Sequence, residues 1–136
     1  LIEEGVTGIE CECAVMGNDE PFASTVGEIK SANEGFYDFE SKYEDDNSET
    51  IIPARMSEQA IENIRALAVK AYKAIGCAGL SRCDFFLCPD GTALLNEINT
   101  LPGHTPISMY PKLMEHAGMT PAQQEDKLIE LALERN

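Results

Sequence analysis

At 136 residues, 43% hydrophobic and 25% charged, the chain has the size and composition of one soluble domain with a real core, and not of two. Its 24 acidic against 10 basic residues, net −14, exclude bulk binding of nucleic-acid phosphates, so any anion held here must meet local cations or a metal. No apolar run approaches the roughly 20 residues that cross a bilayer. Five cysteines without a CxxC point to buried thiols in a reducing cytoplasm, not to a zinc ribbon or thioredoxin-like site.

The opening "LIEEGVTGIE" has no initiator Met, basic n-region or apolar h-region, so it reads as no signal peptide. It reads instead as a strand cut part-way, the start of a fragment. In "GIECECAVM", residues 8–16, Ile9, Cys11, Cys13 and Val15 alternate with Glu10, Glu12 and Ala14, the pattern of a half-buried strand. Cys11 and Cys13 lie too close along one face to bridge. "GNDEP" turns the chain, and "FASTVGEI" is the hairpin partner. The polar stretch "KSANEGFYDFESKYEDDNSET" carries Phe36, Tyr37, Phe39 and Tyr43. Long loops of this kind are functional or disordered, and four aromatics argue for a loop that docks on something.

A helix starts at Ser57 as N-cap and keeps Ile61, Ile64, Ala68, Ala71 and Ile75 at helical spacing until Gly76 stops it. Two strands follow, about 80–88 and 92–98. After a connection in which Ser108 lies near a helix start, a last helix opens with Thr120 as N-cap, Pro121 at N1 and Gln123 at N3, and continues through Leu128, Leu131, Ala132 and Arg135. The order β-β-loop-α-β-β-loop-α places the chain in the α+β class, an antiparallel sheet with helices against it.

The strand pair "RCDFFLCPDGTALLNEIN" carries the chemistry. Asp90-Gly91 signals a two-residue hairpin loop, which pairs Pro89 with Thr92 and sets Asp84 opposite Glu97 and Arg82 opposite Asn99. A three-residue loop would send these pairs to opposite faces. Carboxylates directly across strands repel, and two of them with an Asn oxygen suit Mg²⁺, which fills its shell with water and phosphate oxygens. Arg82 would then face a phosphate. The spacing alone also fits a solvated face on which the carboxylates never meet. Downstream, "TLPGHTPISM" offers Gly103 for close approach of a ligand to the backbone and Ser108 near helix N–H groups that favour a carboxylate. An ordinary strand-to-helix connection would look the same.

Taken together, "FYDFESKY" at 36–43, "SRCDFFL" at 81–87, "LNEINTLPGHTPISMYPKL" at 95–113 and "IELALER" at 129–135 resemble the D-alanine–D-alanine ligase family of ATP-grasp enzymes. The resemblance covers only that family's C-terminal part. It implies one C-terminal ATP-grasp domain over residues 1–136, with the N-terminal substrate domain and the start of the ATP-grasp region absent. It further implies an ATP-dependent enzyme that phosphorylates one D-alanine to an acyl phosphate and joins it to a second for peptidoglycan precursor synthesis. The isolated chain would be inactive.

Residue by residue, the resemblance assigns Glu3 to the adenine amine, with the Gly5 and Val6 backbone holding the ring, and Glu10 to the ribose hydroxyls. Lys42 would reach the transferred phosphate, beside Tyr37 and Tyr43. Asp84, Glu97 and Asn99 would hold two Mg²⁺ (or Mn²⁺) ions. Arg82 and the Gly103 N–H would stabilise the oxyanion, and Ser108 would bind the second D-alanine's carboxylate. In the family a tyrosine at the end of the "KY" pair goes with dipeptide-forming enzymes, so Tyr43 favours D-alanine over D-lactate. D-alanine and ATP are the implied partners, with no nucleic acid or membrane, a cytoplasmic location, and a homodimer as a family expectation for the full-length protein. Competing readings are a non-catalytic acidic module that binds divalent cations or a protein, and an ATP-grasp ligase with another second substrate.

Overall fold

The computed structural model describes residues 2–30 and 49–135. Among them, five strands and three helices follow in the order β1 (Ile9–Gly17), β2 (Phe22–Lys30), β3 (Glu49–Ile51), α1 (Glu58–Ala74), β4 (Gly79–Leu87), β5 (Ala93–Asn99), α2 (Met109–His116) and α3 (Pro121–Leu133). The strands form one antiparallel sheet in the order β3-β2-β1-β4-β5. The α+β reading holds. Residues 2–7 have no regular structure where a severed strand was expected, because a strand needs a ladder partner and none of the described residues supplies one.

β1 is the central strand, and it is buried on both faces rather than half-buried. On one face Cys11, Cys13 and Val15 pack with Val26, Cys83 and Phe85 under Ile64, Ala68 and Tyr72 of α1. On the other, Ala14 and Met16 meet Met109, Tyr110, Leu113 and Met114 of α2 and Leu131 of α3. The second cover is α2, a helix that the expected order omits. Its apolar spacing is short, eight residues, and Pro111 disguises it although proline is tolerated in a first turn. Gly27 lets α2 approach β2: a Cβ there would lie 3.1 Å from Met109 Sδ and 3.2 Å from Leu113 Cδ2.

The helix ends follow their capping signals. Ser57 Oγ accepts from Ala60 N at 3.2 Å, and Gly76 takes φ +71° beyond the end of α1. Thr120 and Gln123 form the expected capping box, with Thr120 N donating to Gln123 Oε1 at 2.9 Å and Gln123 N to Thr120 Oγ1 at 3.4 Å. The buried stripe of α1 differs from expectation. Ile75 is exposed, and Tyr72 takes the inward position, its hydroxyl donating to Gly17 O at 2.6 Å to tie α1 to the end of β1.

The cysteines are all free, and Cys11, Cys13 and Cys83 are fully buried. Burial pushes the thiols of Cys11 and Cys13 up to about 12 and that of Cys83 to about 11, so none is a nucleophile at neutral pH. No described helix is long and apolar enough to cross a membrane.

The segment entering α1 is pinned to β2. Ala54 N donates to Val26 O at 2.8 Å, and Arg55 grips the buried Glu28 through Nη2–Oε1 at 2.6 Å and its backbone N–Oε2 at 3.1 Å. The side-chain hydrogen bond from Arg55 outweighs burial and holds the Glu28 carboxyl below the usual carboxylate range. A carboxyl depressed on folding stabilises above its unfolded value, about 4.3, and that contribution is lost as pH falls through the folded value. The stability advantage of wild type over Glu28→Gln in urea unfolding is therefore expected to be full at pH 6 and to shrink below about pH 4.3. An advantage that stayed constant to lower pH would remove this pair from the acid response.

Candidate active site

The site-bearing hairpin reaches its register by two departures that cancel. Its loop has three residues, Pro89, Asp90 and Gly91, closed by Cys88 N to Thr92 O at 2.8 Å and Gly91 N to Cys88 O at 2.9 Å, with Gly91 at φ +85°. The two-residue loop was wrong, and near the turn Phe85 faces Leu95. Between Asp84 and Phe85 the register shifts, and Asn96 is the extra residue of β5. Beyond this bulge Asp84 faces Glu97 and Arg82 faces Asn99.

The pairing of β1 with β4 extends the patch. Glu12 faces Asp84, and Ala14 faces Arg82, so Glu12, Asp84 and Glu97 form one row across three strands, with Arg82 and Asn99 in the next. Asp84 and Glu12 keep only 3% and 6% of their side chains exposed. Arg82, 17% exposed, clamps Asp84 with Nε–Oδ1 and Nη2–Oδ2 both at 2.7 Å, and its Nε lies 3.1 Å from Glu12 Oε2. Burial pulls the guanidinium down, yet the hydrogen bond to Asp84 and the charges of Glu12, Asp84 and Glu97 carry it above its ordinary value. It stays charged at every working pH.

The donors suit a hard divalent cation in chemistry. Among the described residues no three His, Cys, Asp or Glu side chains are gathered around one point, so an ion would depend on two carboxylates and an amide, with water and phosphate oxygens completing its shell. Glu97 is exposed and Asn99 half-buried. Asn99 Oδ1 accepts from Leu101 N at 3.2 Å, which uses one of its two lone pairs and orients the amide.

The loop after Asn99 is built on Ser108. Ser108 N donates to Thr105 O at 2.9 Å, Ser108 Oγ accepts from Thr105 N at 3.2 Å, and the two hydroxyls lie 2.8 Å apart. Ser108 occupies the N-cap of α2 without a side-chain bond to the helix. A Cβ on Gly103 would stand 2.9 Å from Ser108 Oγ, so any larger residue there would push the Ser108 side chain aside. His104 lies against Tyr110, ring centres 5.7 Å apart.

Of the other expected residues, Glu10 is half-buried on β1, opposite Phe86 and one row from Glu12 on the same face. Glu3, Gly5 and Val6 are exposed in the irregular segment. Tyr37, Lys42 and Tyr43 lie outside the described residues. Sequence reasoning missed Glu12. Its place on the Glu10 face was legible, but its partner on β4 was not.

Comparison with known proteins decides the family. The family described as "D-ala D-ala ligase C-terminus" matches residues 1–130. The chain belongs to the D-alanine–D-alanine ligase family, as its C-terminal part. It is 50% identical to the D-alanine–D-alanine ligase of Geobacillus thermodenitrificans over 136 residues, covering all of this chain and 37% of that protein. The solved D-alanine–D-alanine ligase of Coxiella burnetii superposes with TM-score 0.83 at 40% identity, covering 98% of this chain and 34% of that one. The VanG D-Ala:D-Ser ligase of Enterococcus faecalis gives TM-score 0.83 at 43% identity, over 94% and 37%. The chain thus spans about a third of the relatives it matches, and the fold is that of ATP-grasp enzymes.

Gly103→Ala would bring a Cβ against the Ser108 Oγ that accepts from Thr105 N in this loop. It is expected to lower the urea midpoint, by less than the roughly 1–3 kcal/mol that overpacking costs in a buried core, because Gly103 is exposed. An unchanged midpoint would mean that Ser108 moves aside without cost.

Proposed function

We propose that residues 1–136 are the C-terminal domain of an ATP- and Mg²⁺-dependent ligase that joins two D-alanines to D-alanyl-D-alanine through an acyl phosphate, for peptidoglycan precursor synthesis in the cytoplasm. The observation that carries this reading is the row of Glu12, Asp84 and Glu97 with Arg82 and Asn99 beside it, one loop before Gly103 and Ser108. A non-catalytic acidic module would have no use for Gly103 and Ser108 at this spacing.

In this reading Asp84, Glu97 and Asn99 would hold two Mg²⁺ (or Mn²⁺) ions, which would supply charge neutralisation of the transferring phosphate. Glu10 takes the ribose hydroxyls, while Glu3 and the Gly5 and Val6 backbone hold the base. Lys42, with Tyr37 and Tyr43 beside it, reaches the transferred phosphoryl group. Arg82 and the Gly103 N–H face the oxygen that becomes negative when the second amine attacks the acyl phosphate, where each donor is worth about 3–4 kcal/mol. Ser108 receives the second amino acid's carboxylate, helped by the N–H groups that begin α2. No covalent enzyme intermediate is required, and positioning with charge neutralisation supplies the rate. The first D-alanine's site and the grip on the nucleotide's inner phosphates belong to the part of the protein upstream, so the 136 residues alone make no dipeptide. The homodimer implied by the resemblance belongs likewise to the full-length protein.

The full-length protein is expected to release phosphate from ATP when given D-alanine. D-serine and D-lactate, tested alongside, measure second-substrate choice, which the likeness to a D-Ala:D-Ser ligase makes worth testing. No D-alanine-dependent release would end the proposal. Glu97→Gln is expected to lower turnover by at least the roughly 100-fold that loss of an outer-shell partner can cost, with the fold intact. A wild-type rate in that variant would take Glu97 out of the metal site.

A further inference from the structure

Arg82 sits between two buried carboxylates, and it treats them differently. Its single Nε–H donates to Asp84 Oδ1 at 2.7 Å, and an Nη2–H donates to Asp84 Oδ2 at 2.7 Å. Glu12 Oε2, 3.1 Å from the same Nε, therefore pairs with Arg82 by charge rather than by the proton already given to Asp84. Both carboxylates belong to one cross-strand row with Glu97.

A divalent cation and the Arg82 fork compete for Asp84, since both use its oxygens. A guanidinium displaced from Asp84 with no other acceptor would be a buried charge without a partner, at a large penalty. Glu12 removes that penalty. Its Oε2 is already 3.1 Å from Nε, so once Asp84 no longer accepts it, the Arg82 Nε–H can donate to Glu12 without the arginine leaving the sheet.

We propose that Glu12 is the positioning residue of Arg82, holding the guanidinium in the site when a divalent cation takes Asp84. This rests on the reading of Asp84, Glu97 and Asn99 as a cation site. Arg82 is then a resident cation that covers Asp84 until metal arrives and remains beside it afterwards, aimed by Glu12 where charge develops. Glu12 touches neither substrate nor metal in this scheme and acts through Arg82. It lies on the face of β1 that also carries Ala14 and Met16, and it is buried there beside Asp84 of β4.

The arginine Nε–H signal of Arg82, followed by NMR in the full-length protein holding a non-hydrolysable ATP analogue, with and without Mg²⁺, tests this. In wild type the signal is expected to shift at saturating Mg²⁺ while remaining protected from solvent exchange. In Glu12→Gln it should be protected without Mg²⁺ and exchange on the order of tenfold faster or more with it. A merely structural role for Glu12 would change exchange equally in both states. The inference is overturned if Mg²⁺ moves the backbone amides of Asp84, Glu97 and Asn99 but leaves the wild-type Arg82 signal unchanged, or abolishes it. It is equally overturned if Glu12→Gln retains full protection with Mg²⁺ bound. If those three amides do not respond to Mg²⁺ at all, the cation-site reading fails instead, a separate result. Should Glu12→Gln not fold, the wild-type titration decides alone.

Discussion

The arrangement of this domain turns on one guanidinium. Asp84 and Glu12 stand directly opposite each other in adjacent strands and are almost fully buried, a pairing that would push the strands apart if nothing lay between them. Arg82 makes the pairing tolerable, and it does so from the neighbouring row through two hydrogen bonds to Asp84 and an ion pair to Glu12. Removing one member of such a buried set costs about 3–5 kcal/mol, because the charges left behind have no water to turn to.

Around that patch the sheet is divided. One face is covered by α1 along the central strand, and the other carries α2 and α3 at one end and the charged row at the other. Covering β1 on both sides demands small side chains where helices come close. Cys11, Cys13 and Ala14 meet that demand, as does Gly27 under Met109 and Leu113. Burial is also why the thiols are inert, their pKa values driven far above neutrality by desolvation. Cys11, Cys13 and Cys83 are packing residues, and the charged row of Glu12, Asp84 and Glu97 lies on the other face.

The hairpin shows how a right conclusion can come from a wrong turn. Counting back from Asp90-Gly91 as a two-residue loop aligned Asp84 with Glu97. The real loop holds three residues, and by itself it would have turned Glu97 and Asn99 to the α1 side. Asn96 bulges out and restores the face. Turn chemistry can be read from a dipeptide, but a bulge is settled by the fit of the whole strand against its neighbour, and nothing in "ALLNEIN" announces it.

What the sequence alone determined was local or directly patterned. The caps at Ser57 and Thr120, the stop at Gly76, the four longer strands and the α+β class all follow from side chains acting on their own backbone or on a fixed period. The carboxylates, Arg82, Asn99, Gly103 and Ser108 could be picked out because polar groups at strand spacing and glycine in a tight loop are costly without a use. Tertiary structure alone decided that β1 lies in the middle, that α2 closes its second face, and that Tyr72 rather than Ile75 faces inward. It also decided that Glu12 joins the charged row. Each of these depends on which distant segment lies alongside, and contacts across 70 residues of chain are chosen by packing and charge in three dimensions, which no local spacing records.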